Sequence, residues 1–198
     1  MDYIKGYSDI NICDIGASPC DATPFIDSLL ENTNSKITGF EPNIEEFKKL
    51  KISNNKKYYN YAIGDGQIHT LNICAWPGMS SFLKPNIDYL KLFHGFEHGS
   101  KILEKIPVKT KKLDDLVDKF DFIKMDVQGF ESEIIKNGKN KISEALVIQI
   151  ETSPTPLYHG EKPFSFVCNQ LEGLGFSLHM FNKINSKIFK PMLINKNT

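Results

Sequence analysis

Arginine is absent, and all 24 basic residues are lysine. Without the planar guanidinium fork, bidentate recognition of phosphate or of guanine edges is excluded. The 24 acidic residues bring the net charge to zero, so nothing in the total favours DNA, RNA or an anionic membrane as partner. The abundance of Lys, Asn and Ile is what an AT-rich genome produces. Cysteine is scarce: Cys13, Cys20, Cys74 and Cys168 form no CxxC pair, which leaves free thiols in a reducing compartment as the expectation. No apolar run approaches the length that spans a bilayer, and the opening MDYIKGYSDI has no apolar leader stretch. A cytoplasmic protein is expected. A glycine-rich dinucleotide turn is missing too, since DIGASPCD (14–21) holds one glycine beside Pro19 and Asp21.

What is present is a chain of 198 residues, 40% hydrophobic, enough for a single domain over 1–198 with a continuous core. Apolar runs alternate with helical patterns, the arrangement of a parallel sheet covered by helices on both faces. INICDIG (10–16) reads as a first buried strand and TPFIDSLLEN (23–32) as the helix after it, with Phe25, Ile26, Leu29 and Leu30 at helical spacing. KITGFEP is a second strand stopped by Pro42, and Asn43 caps a helix in NIEEFKKLK. YYNYAIG (58–64) is a third strand. Asp65-Gly66 is a hairpin signal, so QIHTLNIC (67–74) is expected as an extra antiparallel strand.

Residues 76–105, with Pro77, Gly78, Pro85, Gly95 and Gly99, read as a lid or acceptor-facing insertion. Order returns at KKLDDLVDKF and leads to a strand at 122–126, a helix at about 129–137 closed by Gly138, and a strand in ALVIQIE (145–151). A Pro-rich loop and a helix carrying Phe166, Val167 and Leu171 follow. GFSLHMF (175–181) and KIFKPMLIN (187–195) are expected as a closing hairpin.

In open α/β sheets the ligand lies beyond the carboxyl ends of the strands. The strands deliver there Asp14, Gly16 and Ala17; Glu41; Gly64 and Asp65; Asp126; and Glu151. An acid-rich, glycine-poor mouth disfavours a phosphate and suits a ligand with a sulfonium, an ammonium and a ribose, because carboxylates attract the cations and accept hydrogen bonds from the hydroxyls. Glu41 stands where an acid grips ribose in nucleotide-binding sheets.

DIGAS, GFEPN, YAIGD, FIKMDVQGFESEIIKNG and VIQIE, in that order, resemble S-adenosylmethionine-dependent methyltransferases of the FkbM type, as do PLYHGEKPF and LGFSLHMF further on. The resemblance runs from about Ile10 to Phe181. It implies a three-layer, Rossmann-like class I methyltransferase fold: a mostly parallel seven-stranded sheet with an antiparallel C-terminal strand and an extra hairpin after strand three. It also implies O-methylation of a sugar, glycan, lipid-linked or secondary-metabolite hydroxyl. Carried over by position, Asp14, Gly16 and Ala17 are similar to the first cofactor motif, Glu41 to the ribose clamp, Ile63 and Asp65 to positions beside adenine, and Asp126 to the point where methyl donor and acceptor meet. The family often reads Asp-Val-Glu-Gly where this chain has Gln128, which keeps a hydrogen-bonding group and loses a charge.

For proton removal the candidates are Asp126, Glu151 and His159, the last in the loop beyond strand five. Asp126 and Glu151 could hold a divalent cation through oxygen, but a third ligand is missing, so metal dependence is the disfavoured alternative. His94, His98, Trp76, Phe82 and Tyr158 are candidates to line an acceptor site. Glu131 and Glu133 sit in a first helical turn, where the helix dipole alone favours acids. Lys124 shares a strand face with Asp126 as its counter-charge. The expected partner is a small-molecule or glycan acceptor, with neither nucleic acid nor membrane. Competing readings are a cofactor-binding protein of the same fold without turnover and a nicotinamide-dependent oxidoreductase.

Overall fold

Strand β1 (Asn11–Ile15) is buried on both faces, as befits a strand at the centre of a sheet. Cys13 and Ile15 point into one cluster with Ile123, Met125, Ile134 and Ile135; Ile12 points into another with Ile37 and Phe122. The computed structural model describes residues 9–19, 24–182, 184 and 187–192. Helix α1 (Pro24–Asn32) begins on a proline, whose fixed φ suits a first helical turn, and lays Ile26, Leu29 and Leu30 on the second cluster. Each fully buried side chain of this kind contributes about 1.5–3 kcal/mol.

Next come β2 (Lys36–Phe40), a short α2 (Ile44–Phe47) and β3 (Lys56–Tyr59). The Asn43 side chain accepts from the Glu45 N–H, as an N-cap should. A second sheet takes β4 (Ala62–Ile63), β5 (Ile68–Cys74) and β6 (Ile102–Lys111), with α3 (Ile87–Leu90) and α4 (Phe96–Gly99) between β5 and β6. The main sheet resumes with β7 (Phe122–Met125), α5 (Glu131–Asn137), α6 (Lys139–Glu144), β8 (Val147–Ile150) and α7 (Phe164–Glu172).

The main sheet is parallel, in the order β3-β2-β1-β7-β8. The chain winds outward from β1 through β2 to β3, then starts again on the other side of β1 with β7. That reversal opens a crevice at the carboxyl ends of β1 and β7. Among the described residues no helix is long and apolar enough to cross a membrane.

Four expectations are corrected. The strand expected over 58–64 breaks at Asn60, whose amide donates to the carbonyls of Glu41 and Pro42 and so ties off the end of β2. Asp65-Gly66 makes a turn, with Gly66 at φ +83°, but no hairpin: β6 lies between β4 and β5, parallel to the first and antiparallel to the second. The irregular stretch ends at Ile102, where β6 begins. That strand escapes a sequence reading because it is largely exposed, lysine-rich and interrupted by Pro107. At Pro107 it has β5 on one side only, the edge situation in which a strand tolerates proline.

The fourth concerns the sheet itself, which holds five strands among the described residues, with no antiparallel C-terminal strand. Residues 175–181 form none, and 193–195 of the last expected strand lie outside the described residues. The described part of that segment is drawn elsewhere: the Phe189 ring sits 4.7 Å from Phe93, and Lys190 N–H donates to the Leu92 carbonyl.

Candidate cofactor and acceptor site

Three strand ends are locked together at Gly16. The N–H groups of Gly16 and Ala17 both donate to the Phe40 carbonyl, at 3.0 and 3.1 Å, and Asp126 N–H donates to the Ile15 carbonyl at 2.9 Å. Gly16 turns with φ +83°, and a Cβ there would lie 1.9 Å from the Asp126 carbonyl oxygen. Only glycine gives β1 this exit.

Immediately behind the turn, Asp14 stands opposite Lys124 across the β1–β7 pair. The Lys124 ammonium lies 3.1 Å from Asp14 Oδ1 and 3.9 Å from Asp126 Oδ2, and both Asp14 and Lys124 are buried. Burial pushes the Asp14 carboxyl above its ordinary value, and the Lys124 charge opposes the rise.

In front of the turn is a hollow of about 700 Å³, its open mouth included. Gly16 and Ser18 form its floor, and Glu41, Asn43 and Glu46 line it from the end of β2 and from α2. Ile63, Leu71 and Phe82 supply an apolar wall, Pro77, Gly78, Ser80 and Ser81 face it, and Asp126 to Gln128 close it at the end of β7. Glu41 is buried, with Oε1 accepting the Asn43 N–H at 2.7 Å, and burial pushes its carboxyl up to about 7. Ser18 Oγ and Lys49 Nζ donate to the two oxygens of the buried Glu46.

At the rim, the Gln128 amide nitrogen stands 2.7 Å from Asp126 Oδ1 and 2.7 Å from Glu151 Oε2. The buried Tyr158 hydroxyl lies 3.0 Å from Gln128 Oε1 and 3.2 Å from the Met79 carbonyl. Glu151 is exposed, but crowding of its carboxyl by the surrounding protein and the neighbouring Asp126 push that carboxyl up. The loops that meet here are stitched: Asn86 N–H donates to the Leu157 carbonyl and His159 N–H to the Lys84 carbonyl, each at 2.9 Å.

Beneath the rim, Glu131 Oε1 accepts the N–H groups of Val127 and Gly129 and fixes the turn into α5. Burial pushes this carboxyl up to about 7 from an ordinary 4.5. The folded state therefore holds the proton more tightly than the unfolded chain does, so stability present below about 4.5 is lost as pH rises through about 7. The melting temperature is expected to fall between pH 5 and pH 8. Glu131→Gln, which keeps the accepting oxygen, should flatten part of that fall and be the more stable form at pH 8 by on the order of 2 kcal/mol. Thermal melts of both proteins across that range check it, and parallel curves would remove Glu131 as a cause.

Of the residues expected from the sequence, Gly16, Glu41, Ile63 and Asp126 line one hollow. Asp14 and Ala17 are buried just behind it, and Lys124 is foremost the counter-charge of Asp14 rather than of Asp126. Asp65 is taken up by its own turn, accepting from Gln67 N–H, His69 and Thr110. His159 is exposed and, like His94 and His98, lines no part of the hollow; His94 instead meets the Met192 carbonyl. Trp76 packs on Phe96 and over Gly99, and Tyr158 is a buried hydrogen-bonding group rather than a stacking surface.

The two acids named for a cation, Asp126 and Glu151, have an amide donor between them. Among the described residues no three His, Cys, Asp or Glu side chains are grouped to hold a metal. Glu46, Asn43 and Ser81 were not legible as lining residues. For Glu46 the one available signal is its place one helical turn beyond Pro42.

A crevice at the switch point of a doubly wound sheet, with an acid at the end of the second strand, is the arrangement in which open α/β sheets hold nucleotides. Residues 14–178 match the family model described as the Methyltransferase FkbM domain, and the chain belongs to that family. A relative, the 2-O-methyltransferase NoeI of Sinorhizobium fredii (strain NBRC 101917 / NGR234), is 37% identical over 71 residues, 33% of this chain and 29% of that protein. The crystal structure of methyltransferase FkbM from Methylobacillus flagellatus KT aligns with 69% of this chain and 30% of its own, at 17% identity and a TM-score of 0.39. The chain thus spans less than a third of the length of the relatives it matches. S-adenosylmethionine is the cofactor the family implies.

Proposed function

We propose that the chain binds S-adenosylmethionine in the hollow and catalyses transfer of its methyl group, in line, to a hydroxyl of a sugar, glycan or secondary-metabolite acceptor. The observation that carries this reading is that Glu41 and Asp126, from the ends of β2 and β7, face one hollow across the Gly16 turn. Glu41 spends Oε1 on the Asn43 N–H, so Oε2 is available to accept from ribose hydroxyls. The wall of Ile63, Leu71 and Phe82 suits a purine. When bound, the cofactor supplies an electrophilic methyl carbon on a sulfonium. Family membership and the 2-O-methyltransferase name of the NoeI relative support a hydroxyl acceptor.

On this reading Asp126 orients the acceptor hydroxyl and Glu151, whose proton affinity is raised, takes its proton as the new C–O bond forms and the C–S bond breaks. Positioning and exclusion of water supply most of the acceleration. A cytoplasmic setting, in which Cys13, Cys74 and Cys168 stay reduced, goes with this reading, as does the absence of nucleic acid and membrane from its partners.

Isothermal titration with S-adenosylhomocysteine and with NAD tests the cofactor, and transfer of label from [methyl-14C]S-adenosylmethionine to a panel of methyl glycosides tests the acceptor. Binding of NAD in place of S-adenosylhomocysteine would overturn the reading. Glu41→Ala is expected to weaken S-adenosylhomocysteine about 10- to 100-fold, the range for a lost charge-assisted hydrogen bond. Ribose donors favour the ionised carboxylate, so in the unmodified protein affinity should rise with pH up to about 7 and level off above it. A flat profile from pH 5 to pH 8 would remove Glu41 from the ribose.

A further inference from the structure

We infer that Gln128 is a positioning residue that holds Asp126 and Glu151 at a fixed spacing through an uncharged amide bridge and thereby aims both acids at the acceptor. The inference rests on the proposed function and adds a role for a residue that closes the hollow at the end of β7 and takes no bond-making part in that scheme.

Every hydrogen-bonding group of the Gln128 side chain is used. Its Nε2 lies 2.7 Å from one oxygen of each acid, a separation that uses both amide protons, and its Oε1 lies 3.0 Å from the Tyr158 hydroxyl. The main chain is held as well, with Ser81 Oγ donating to the Gln128 carbonyl at 2.7 Å. One residue therefore fastens the end of β7, the end of β8, the segment after β5 and the loop before α7. It does so in the left-handed region, at φ +55°, and is the one non-glycine residue there among those described. Glutamine has no special tolerance for that conformation, and strain of this kind persists where the surroundings over-determine it and function uses it. Asparagine or glycine would relieve the backbone and lose the reach to both acids.

A neutral bridge also has a consequence for charge. Two carboxylates on adjacent strand ends repel, and an amide that donates one N–H to each lets them stay close without a third ionising group. The charged and titratable groups facing Glu151 are Asp126 from the end of β7, Glu131 from α5 and the Tyr158 hydroxyl, with Lys124 behind Asp126.

The test compares the full chain with Gln128→Leu and Gln128→Gly. S-adenosylhomocysteine affinity should fall far less than kcat, by about tenfold at most, because Gln128 meets the hollow only where it closes at the end of β7. At saturating S-adenosylmethionine, kcat toward the glycoside that accepts label should fall about 30-fold or more in both variants. Gln128→Gly, freed of the backbone strain that Gln128→Leu keeps, should melt above Gln128→Leu. Unchanged kcat in both variants, or affinity falling in step with kcat, would overturn the inference.

Should the unmodified protein label no glycoside, that result counts against the acceptor assigned above, and the role of Gln128 is decided without turnover by the 13C resonance of the Glu151 carboxyl. With the amide donor gone in Gln128→Leu, that carboxyl should titrate about one pH unit higher or more than in the parent. Identical titration would refute the bridge.

Discussion

Gly16→Ala is expected to cost about 3 kcal/mol or more of stability and to erase S-adenosylhomocysteine binding. The methyl group would enter at 1.9 Å from the Asp126 carbonyl oxygen, a main-chain atom of the neighbouring strand that no rotamer change can move aside. The left-handed φ of +83° adds conformational strain for any residue with a Cβ. Relief requires β1 and β7 to part, which breaks the Asp126 N–H bond to Ile15 and displaces Asp126 from the hollow it lines. Urea unfolding gives the first quantity and isothermal titration the second. A variant within about 0.5 kcal/mol of the parent that still binds would show that the strand ends yield where the geometry says they cannot.

Lys124→Met comes second. It replaces a buried cation by a side chain of similar length and leaves the Asp14 carboxylate buried beside Asp126 without its closest partner. Breaking a buried ion pair from one side costs about 3–5 kcal/mol at pH 8, because the remaining charge keeps its desolvation penalty. The loss should shrink toward pH 5. Without Lys124 the Asp14 carboxyl rises further above its ordinary 3.8, and a group raised in the folded state contributes stability that is present at low pH and lost as pH climbs through the raised value. Adding Asp14→Asn should restore most of the stability at pH 8 and flatten the pH dependence. Equal destabilisation at pH 5 and pH 8 would mean that packing, not the orphaned charge, carries the effect.

The parts of the fold legible in the sequence are those whose burial leaves a local trace. β1, β2, β7 and β8 are short apolar runs, and α1 and α7 carry their apolar residues at helical spacing, so each announces itself within its own segment. Glu41 and Asp126 follow from the rule that a parallel strand ends at the ligand. β6 leaves no such trace, because its partners are chosen across the chain and its exposed lysines need no apolar alternation.

The Asp14–Lys124 pair is invisible for a related reason: the two residues are 110 positions apart and meet only because β1 and β7 are neighbours in register. That pairing also explains why Asp14, which a strand-end rule places in the mouth, lies behind it. Gln128 departs from the family pattern, but nothing in its neighbours signals a left-handed backbone or an amide shared between two acids.

The stitching of the loops around the mouth bears on access. Asn86 is fastened to Leu157, His159 to Lys84, and Tyr158 reaches both Met79 and Gln128, so two stretches some seventy residues apart form one closed frame. Neither side of such a frame swings out alone, because the bonds at Asn86, Lys84 and Met79 all cross from one stretch to the other. Tyr158 carries that frame to Gln128, so any shift of the two stretches is felt where Asp126 and Glu151 stand.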